Sequence, residues 1–109
     1  MGMSAYRLMW MMVMFDLPVM LPEERKKAYR FRCDLEDMGF EMAQFSVYLR
    51  FCGSREQMEK YIKRVQTAIP EKGKVSMLFF TDKQFGQIIN FYNCSKKKAQ
   101  KQPDQLVLF

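Results

Sequence analysis

The chain has 109 residues, 49% of them hydrophobic, which is enough for one domain with its own core and too few for two. Its 18 Lys and Arg residues outnumber its 12 Asp and Glu residues, and the net charge of +6 suits a polyanionic partner as well as an ordinary basic surface. The absence of histidine excludes an imidazole base, a Ser-His or Cys-His nucleophile and a His-ligated zinc, so any hydrolysis needs carboxylates, Lys, Tyr or a metal-activated water.

The first predicted element is an apolar run, residues 8–15, that ends in a single carboxylate, Asp16. The run is too short to span a bilayer, and we expect a central strand that is covered on both faces. Pro18 cannot donate a hydrogen bond to a neighbouring strand, so the strand should end near Asp16. Asp16 is then either a turn-forming residue or part of a site, and it is the best site candidate in the chain.

A helix follows, with Pro22 in its first turn and Gly39 after its last. One apolar stripe is formed by Ala28, Phe31, Leu35 and Met38. Basic residues lie away from this stripe: Arg25, Lys26, Lys27, Arg30 and Arg32. A short loop joins Asp16 to this helix, so we expect its basic half near the strand end, where it can contact phosphates. The alternative is a solvated face partly paired with acidic residues of the same helix.

Residues 40–52 are rich in aromatic and β-branched side chains and predict strand structure. Thirteen residues are long for one strand, so we expect a break near residues 44–46. Gln44, Ser46 and Arg50 are the polar side chains available to face a ligand. Positions at a strand end or toward solvent explain these three about as well.

A second helix is predicted from Ser54, whose side chain can cap it together with Gln57, to the residue before Pro70. Residues 75–81 predict another buried strand, followed by a short helical turn near Lys83. Residues 95–104 have the composition of a basic linker. The apolar end, residues 105–109, predicts an edge strand, which pairs with its own sheet or is exchanged with a partner protomer.

The three cysteines, Cys33, Cys52 and Cys94, have no CxxC spacing and fit reduced thiols in a cytosolic protein. The sequence carries no convincing signal peptide. We therefore expect a cytoplasmic protein with no membrane partner.

The order of elements predicts an α+β fold of the ferredoxin-like type, β-α-β-β-α-β, over residues 1–94, with an extra C-terminal strand. Strands that are apolar on both sides indicate that the second sheet face is also covered, most simply by another protomer. We therefore expect a homodimer.

Several segments, taken in order, resemble the CRISPR-associated protein two family. They are MFDLP at residues 14–18, the basic first helix, QFSVY at residues 44–48, TDKQF at residues 81–85 and the terminal LVLF. None of these motifs is specific alone, but the ordered set spans nearly the whole chain.

The resemblance implies a homodimer in which the terminal strand joins the partner's sheet and two copies of Asp16 hold a divalent metal, Mg²⁺ or Mn²⁺. Asp16 would then be both the catalytic and the metal-binding residue. The resemblance also implies a metal-dependent endonuclease acting on single-stranded RNA or duplex DNA. It implies, further, a duplex-DNA-binding core of the spacer-acquisition complex, in contact with the CRISPR integrase subunit, CRISPR-associated protein one.

Individual positions match the family unevenly. Arg25 and Lys27 match basic positions, and Tyr48 matches an aromatic one, whereas Met42 stands where many relatives carry a cation that could stabilise phosphate charge. This departure favours the scaffold role over the nuclease role.

The competing interpretation is an RRM-like RNA-binding module without nuclease activity, whose aromatic residues would stack bases on an open sheet face: Phe45, Tyr48, Phe51, Phe79 and Phe80.

Overall fold

A computed structural model describes residues 8–93. The elements in chain order are β1 (Met9–Asp16), α1 (Pro22–Asp37), β2 (Glu41–Gln44), β3 (Val47–Gly53), α2 (Arg55–Ala68), β4 (Lys74–Thr81) and α3 (Asp82–Phe85). The strands form one antiparallel sheet in the order β2-β3-β1-β4. This arrangement confirms the predicted ferredoxin-like α+β fold. The predicted linker, the terminal strand and Cys94 lie outside the described residues.

Strand β1 buries one of its two faces in the core. Met9, Met11, Val13 and Phe15 are at most 8% exposed and form the core together with residues of α1 and α2. The alternate side chains, Trp10, Met12, Met14 and Asp16, point to the other side of the sheet, which we call the open face. One chain therefore covers one face of β1, because both long helices contribute to the same core. The expected cover of the second face by another protomer stays a prediction.

The helices end where the sequence predicts. In α1, Ala28, Phe31 and Leu35 are buried, and Gly39 follows the helix with φ +90°. The Ser54 side chain accepts a hydrogen bond from the backbone N–H of Gln57 and caps α2. Within residues 8–93, no helix has both the length and the apolar character needed to cross a bilayer.

The short helix α3 covers one end of the open face. The Phe85 ring stacks on the Trp10 indole with centroids 3.8 Å apart, and Trp10 Nε1 donates to Asp82 Oδ1 at 2.8 Å. The Asp82 N–H also donates to the Leu8 carbonyl at 2.8 Å. These contacts cover the beginning of β1 on this face and leave Met12, Met14 and Asp16 facing outward.

Candidate metal and nucleic-acid site

Asp16 is the last residue of β1, and its side chain is exposed on the open face. Its cross-strand partner is Lys74, the first residue of β4, so a carboxylate and an ammonium group share one end of the sheet. Gly73, just before Lys74, has φ +102°, and a Cβ there would lie 2.7 Å from the Asp16 carbonyl oxygen. Glycine is therefore what allows the loop before β4 to pack against the end of β1.

The β2–β3 hairpin closes the other side of this end. Its turn consists of Phe45 and Ser46, which confirms the predicted break, and Ser46 adopts φ 65°. The Phe15 N–H donates to the Ser46 carbonyl at 3.1 Å, which ties the turn to β1 next to Asp16. Gln44 pairs with Val47, which in turn pairs with Met14, so Gln44 is exposed on the same face as Asp16.

One chain does not supply a complete metal site. Within residues 8–93, no three Asp, Glu or Cys side chains converge in a way that could hold a metal ion. Mg²⁺ takes oxygen ligands in an octahedral arrangement and keeps several waters, so one exposed carboxylate is a poor site while two facing carboxylates are an adequate one. The donor chemistry of Asp16 therefore fits Mg²⁺ or Mn²⁺ only where a second copy contributes its own Asp16.

Three exposed basic side chains of α1 share one surface: Lys26, Lys27 and Arg30. They line a groove of about 780 Å³ between α1 and the C-terminal end of α2. Acidic side chains, Glu23, Asp34 and Glu71, line the same groove. The exposed cations suit phosphate contacts from outside the groove, whereas the interior of the groove has mixed charge.

The other two basic residues of α1 make internal contacts. Arg25 Nη1 donates to the carbonyl oxygens of Val19 and Met20, at 3.1 and 3.0 Å, and holds the loop that follows β1. The Arg32 guanidinium lies 4.6 Å from the Phe45 ring centroid and 5.8 Å from that of Phe15. The buried Nε of Arg32 makes no hydrogen bond within the described part of the chain.

Tyr48 and Arg50 lie on the helix-covered face, away from Asp16. Tyr48 is 1% exposed, its ring is 5.8 Å from that of Phe15, and burial raises its pKa above the usual value of 10.0. Arg50 donates to the Tyr61 hydroxyl and stacks 4.1 Å from the Tyr61 ring. The hairpin turn explains this placement, because it puts Gln44 on the open face and even-numbered residues of β3 on the other. Neither Tyr48 nor Arg50 therefore shares a face of the sheet with Asp16.

The sequence interpretation missed Lys74 as a neighbour of Asp16. The two residues are 58 positions apart, and only the β1–β4 register brings them together. A lysine just after a turn glycine gives no sequence signal for this pairing, since the register depends on where both strands end.

Comparison with known proteins gives a consistent result. Residues 9–88 match the family model described as CRISPR associated protein Cas2. A protein of Paracidovorax avenae named CRISPR-associated endoribonuclease Cas2 is 54% identical over 106 residues, which cover 97% of this chain and 98% of the relative. Proteins of the same name from Flavobacterium psychrophilum and Parvibaculum lavamentivorans are 46% and 44% identical, with 97% and 93% of this chain covered and 92% and 100% of the relatives.

Proposed function

The chain belongs to the CRISPR-associated protein Cas2 family, and we propose that it acts in CRISPR adaptation as a homodimeric, duplex-DNA-binding core of the spacer-acquisition complex. In this proposal the CRISPR integrase subunit, CRISPR-associated protein one, is its protein partner. We further propose a Mg²⁺-dependent or Mn²⁺-dependent endonuclease site, for single-stranded RNA or duplex DNA, where two copies of Asp16 meet. Cytoplasmic location fits the free thiols of Cys33 and Cys52.

The observation that carries the proposal is the place of Asp16 at the edge of an apolar surface. Next to it on the open face are Met12 and Met14 of β1, and Leu78 of β4 pairs with Met12. Apolar side chains on a sheet face favour burial against a second protein surface, and a second copy of the chain is self-complementary there. A two-fold axis near the end of β1 would bring the two carboxylates together.

Each group then has a defined task. Two Asp16 carboxylates would hold the ion, which when bound polarises a phosphoryl group and lowers the pKa of a bound water. Lys74 and the exposed cations of α1 would attract and orient the phosphodiester backbone. Because the chain has no histidine, it has no imidazole that could replace the metal in activating water.

The nuclease part is tested with Asp16→Asn, which keeps the side-chain size and removes the charge. We expect Mn²⁺-dependent cleavage of labelled single-stranded RNA and duplex DNA to fall at least about 100-fold, because an amide is a poor ligand for a hard cation. Asp37→Asn, at the exposed C-terminal end of α1, is the matched control and should cleave like the wild type. Activity that survives in Asp16→Asn or in chelator would refute the assignment of Asp16.

The DNA-binding part is tested by charge reversal on two helices. Lys26→Glu/Arg30→Glu changes exposed positions of α1, and Lys60→Glu/Lys63→Glu makes the same change in charge on exposed positions of α2. We expect the α1 variant alone to lose duplex affinity and to reduce the slope of log K against log salt by roughly 2, since each phosphate contact contributes about 0.9. A salt-independent affinity of the wild type would exclude the adaptor role.

The RRM-like alternative requires accessible rings on the open face. Of the five aromatic residues considered for base stacking, Phe51 and Phe80 are on that face, and Phe45 is exposed in the β2–β3 turn beside it. Tyr48 and Phe79 are on the helix-covered face, where their cross-strand partners are the buried Val13 and Met11. This distribution favours the dimeric adaptor, and a monomer in light scattering would instead favour the RNA-binding module.

A further inference from the structure

Phe45, at the tip of the β2–β3 hairpin, has no task in the proposed dimeric site, although the sequence places it among the rings that could stack bases. Its side chain is 76% exposed, and one side of its ring lies against the Arg32 guanidinium at 4.6 Å. We propose that Phe45, supported by Arg32, stacks an unpaired base of a nucleic-acid strand that reaches Asp16. The inference rests on the proposed function and specifies a single-stranded segment as the substrate class.

The ring is held in a defined place. The two-residue turn fixes Phe45 between Gln44 and Ser46, and the Ser46 carbonyl accepts a hydrogen bond from the Phe15 N–H. The tip is therefore attached to β1 one residue before Asp16. A base on the free side of the ring would place its own phosphate at the same end of the sheet as Asp16, Lys74 and Arg32.

Arg32 contributes charge as well as support. Its guanidinium stacks on Phe45 and Phe15, and within residues 8–93 it forms no ion pair with a carboxylate. A cation on one side of an aromatic ring leaves the other side free for a base, and stacking of bases on aromatic rings tolerates any base sequence. The positive charge of Arg32 also favours a phosphate nearby.

The immediate neighbours of Phe45 in the turn favour a base over a protein surface. Both neighbours, Gln44 and Ser46, are polar, and Gln44 is exposed, so polar side chains flank the ring along the chain. A duplex keeps its base faces covered by stacking inside the helix. Phe45 should therefore contribute to binding of single strands and contribute little to binding of a closed duplex.

The test compares Phe45→Ala, Phe45→Trp and the control Tyr29→Ala, which removes another exposed ring, 67% exposed, from α1. The ligands are a 12-nucleotide single strand with one 2-aminopurine and a hairpin-capped duplex of equal charge. We expect Phe45→Ala to weaken single-strand binding about 10-fold and to abolish the stacking quench of 2-aminopurine, while Phe45→Trp retains both. Duplex affinity should stay within about 2-fold of the wild type, because a closed duplex exposes no base face. Tyr29→Ala should keep the wild-type single-strand affinity and quench.

The outcomes separate this inference from the proposed function. If the wild type binds the duplex with the expected salt dependence and Phe45→Ala binds single strands equally well, the inference is wrong and the adaptor role stands. Equal losses of affinity for the single strand and the duplex would also contradict the inference. A loss confined to binding of the integrase subunit would contradict it as well, because it would assign Phe45 to a protein contact. If the wild type binds neither ligand, both proposals are wrong.

Discussion

Gly73 is the residue on which the position of Asp16 depends most directly. Its φ of +102° disfavours other residues, and a Cβ would meet the Asp16 carbonyl oxygen at 2.7 Å and Leu17 Cδ2 at 2.8 Å. We expect Gly73→Ala to lower the free energy of unfolding by about 2 kcal/mol, as is typical for a strained backbone. Gly86→Ala is the control, since Gly86 has φ −66° and its nearest contacts are at 3.6 Å. Urea denaturation measures both, and equal stability of the two variants would refute the close packing.

Buried Tyr48 makes the stability of the protein depend on pH. Burial is the main cause that raises its pKa above 10.0, and burial likewise raises the pKa of Cys52 above 9.0. Both groups are neutral when protonated, so their contribution to stability is complete below these values and is lost as pH rises through the folded-state pKa.

We expect the free energy of unfolding to fall from pH 9 to pH 11, and the fall above pH 10 to be smaller in Tyr48→Phe, which has no phenol to titrate. Urea denaturation at each pH measures the difference. Curves for the two proteins that stay parallel up to pH 11 would mean that the phenol is accessible to water. Tyr48→Phe should also keep the wild-type affinity for nucleic acid, because the side chain lies in the core.

At the scale of elements, local signals in the sequence were sufficient to place the helices. Pro22 and Gly39 mark the ends of α1, and Ser54 marks the start of α2. The same approach misplaced Tyr48 and Arg50, because the face of a strand residue depends on the turn before it, and one residue more or less in a turn reverses every side chain. The cation–π contacts of Arg32 and Arg50 depend on tertiary packing and leave no pattern in the sequence.

The Ser54 cap allows a direct test of whether a local sequence signal stabilises α2. Its hydroxyl accepts from the Gln57 N–H at 3.1 Å, and without it the first turn of α2 loses a hydrogen-bond partner. Ser54→Ala should lower the free energy of unfolding by about 1 kcal/mol, and Ser54→Asp should restore it, since aspartate caps as well and suits the helix dipole. Thermal denaturation by circular dichroism provides the measurement. If Ser54→Asp is as unstable as Ser54→Ala, the cap does not stabilise α2.

At the scale of the whole molecule, the sequence predicted the fold and the end of β1 correctly. The continuous apolar run of β1 indicated burial on both faces, and one chain buries one of them and leaves Met14, 41% exposed, on the other, where the cover by a second protomer stays a prediction. Composition cannot distinguish a strand buried within one chain from a strand whose second face is buried by another molecule, since both need apolar side chains at every position. Because one chain leaves the second face of β1 open, we propose that a second copy of the chain buries it.

Met14→Glu tests whether a second copy covers the open face. A glutamate there would be buried in each half of the proposed dimer without a partner, a cost of several kcal/mol that the association cannot offset. We expect a folded monomer in light scattering, together with loss of metal-dependent cleavage, even though Asp16 is unchanged. Met42→Glu is the control for the oligomeric state, because Met42 is 53% exposed and pairs with Tyr48 on the helix-covered side, and it should remain dimeric. A Met14→Glu protein that stays dimeric and cleaves would place the subunit contact on another surface and would leave Asp16 without a second carboxylate to complete its metal site.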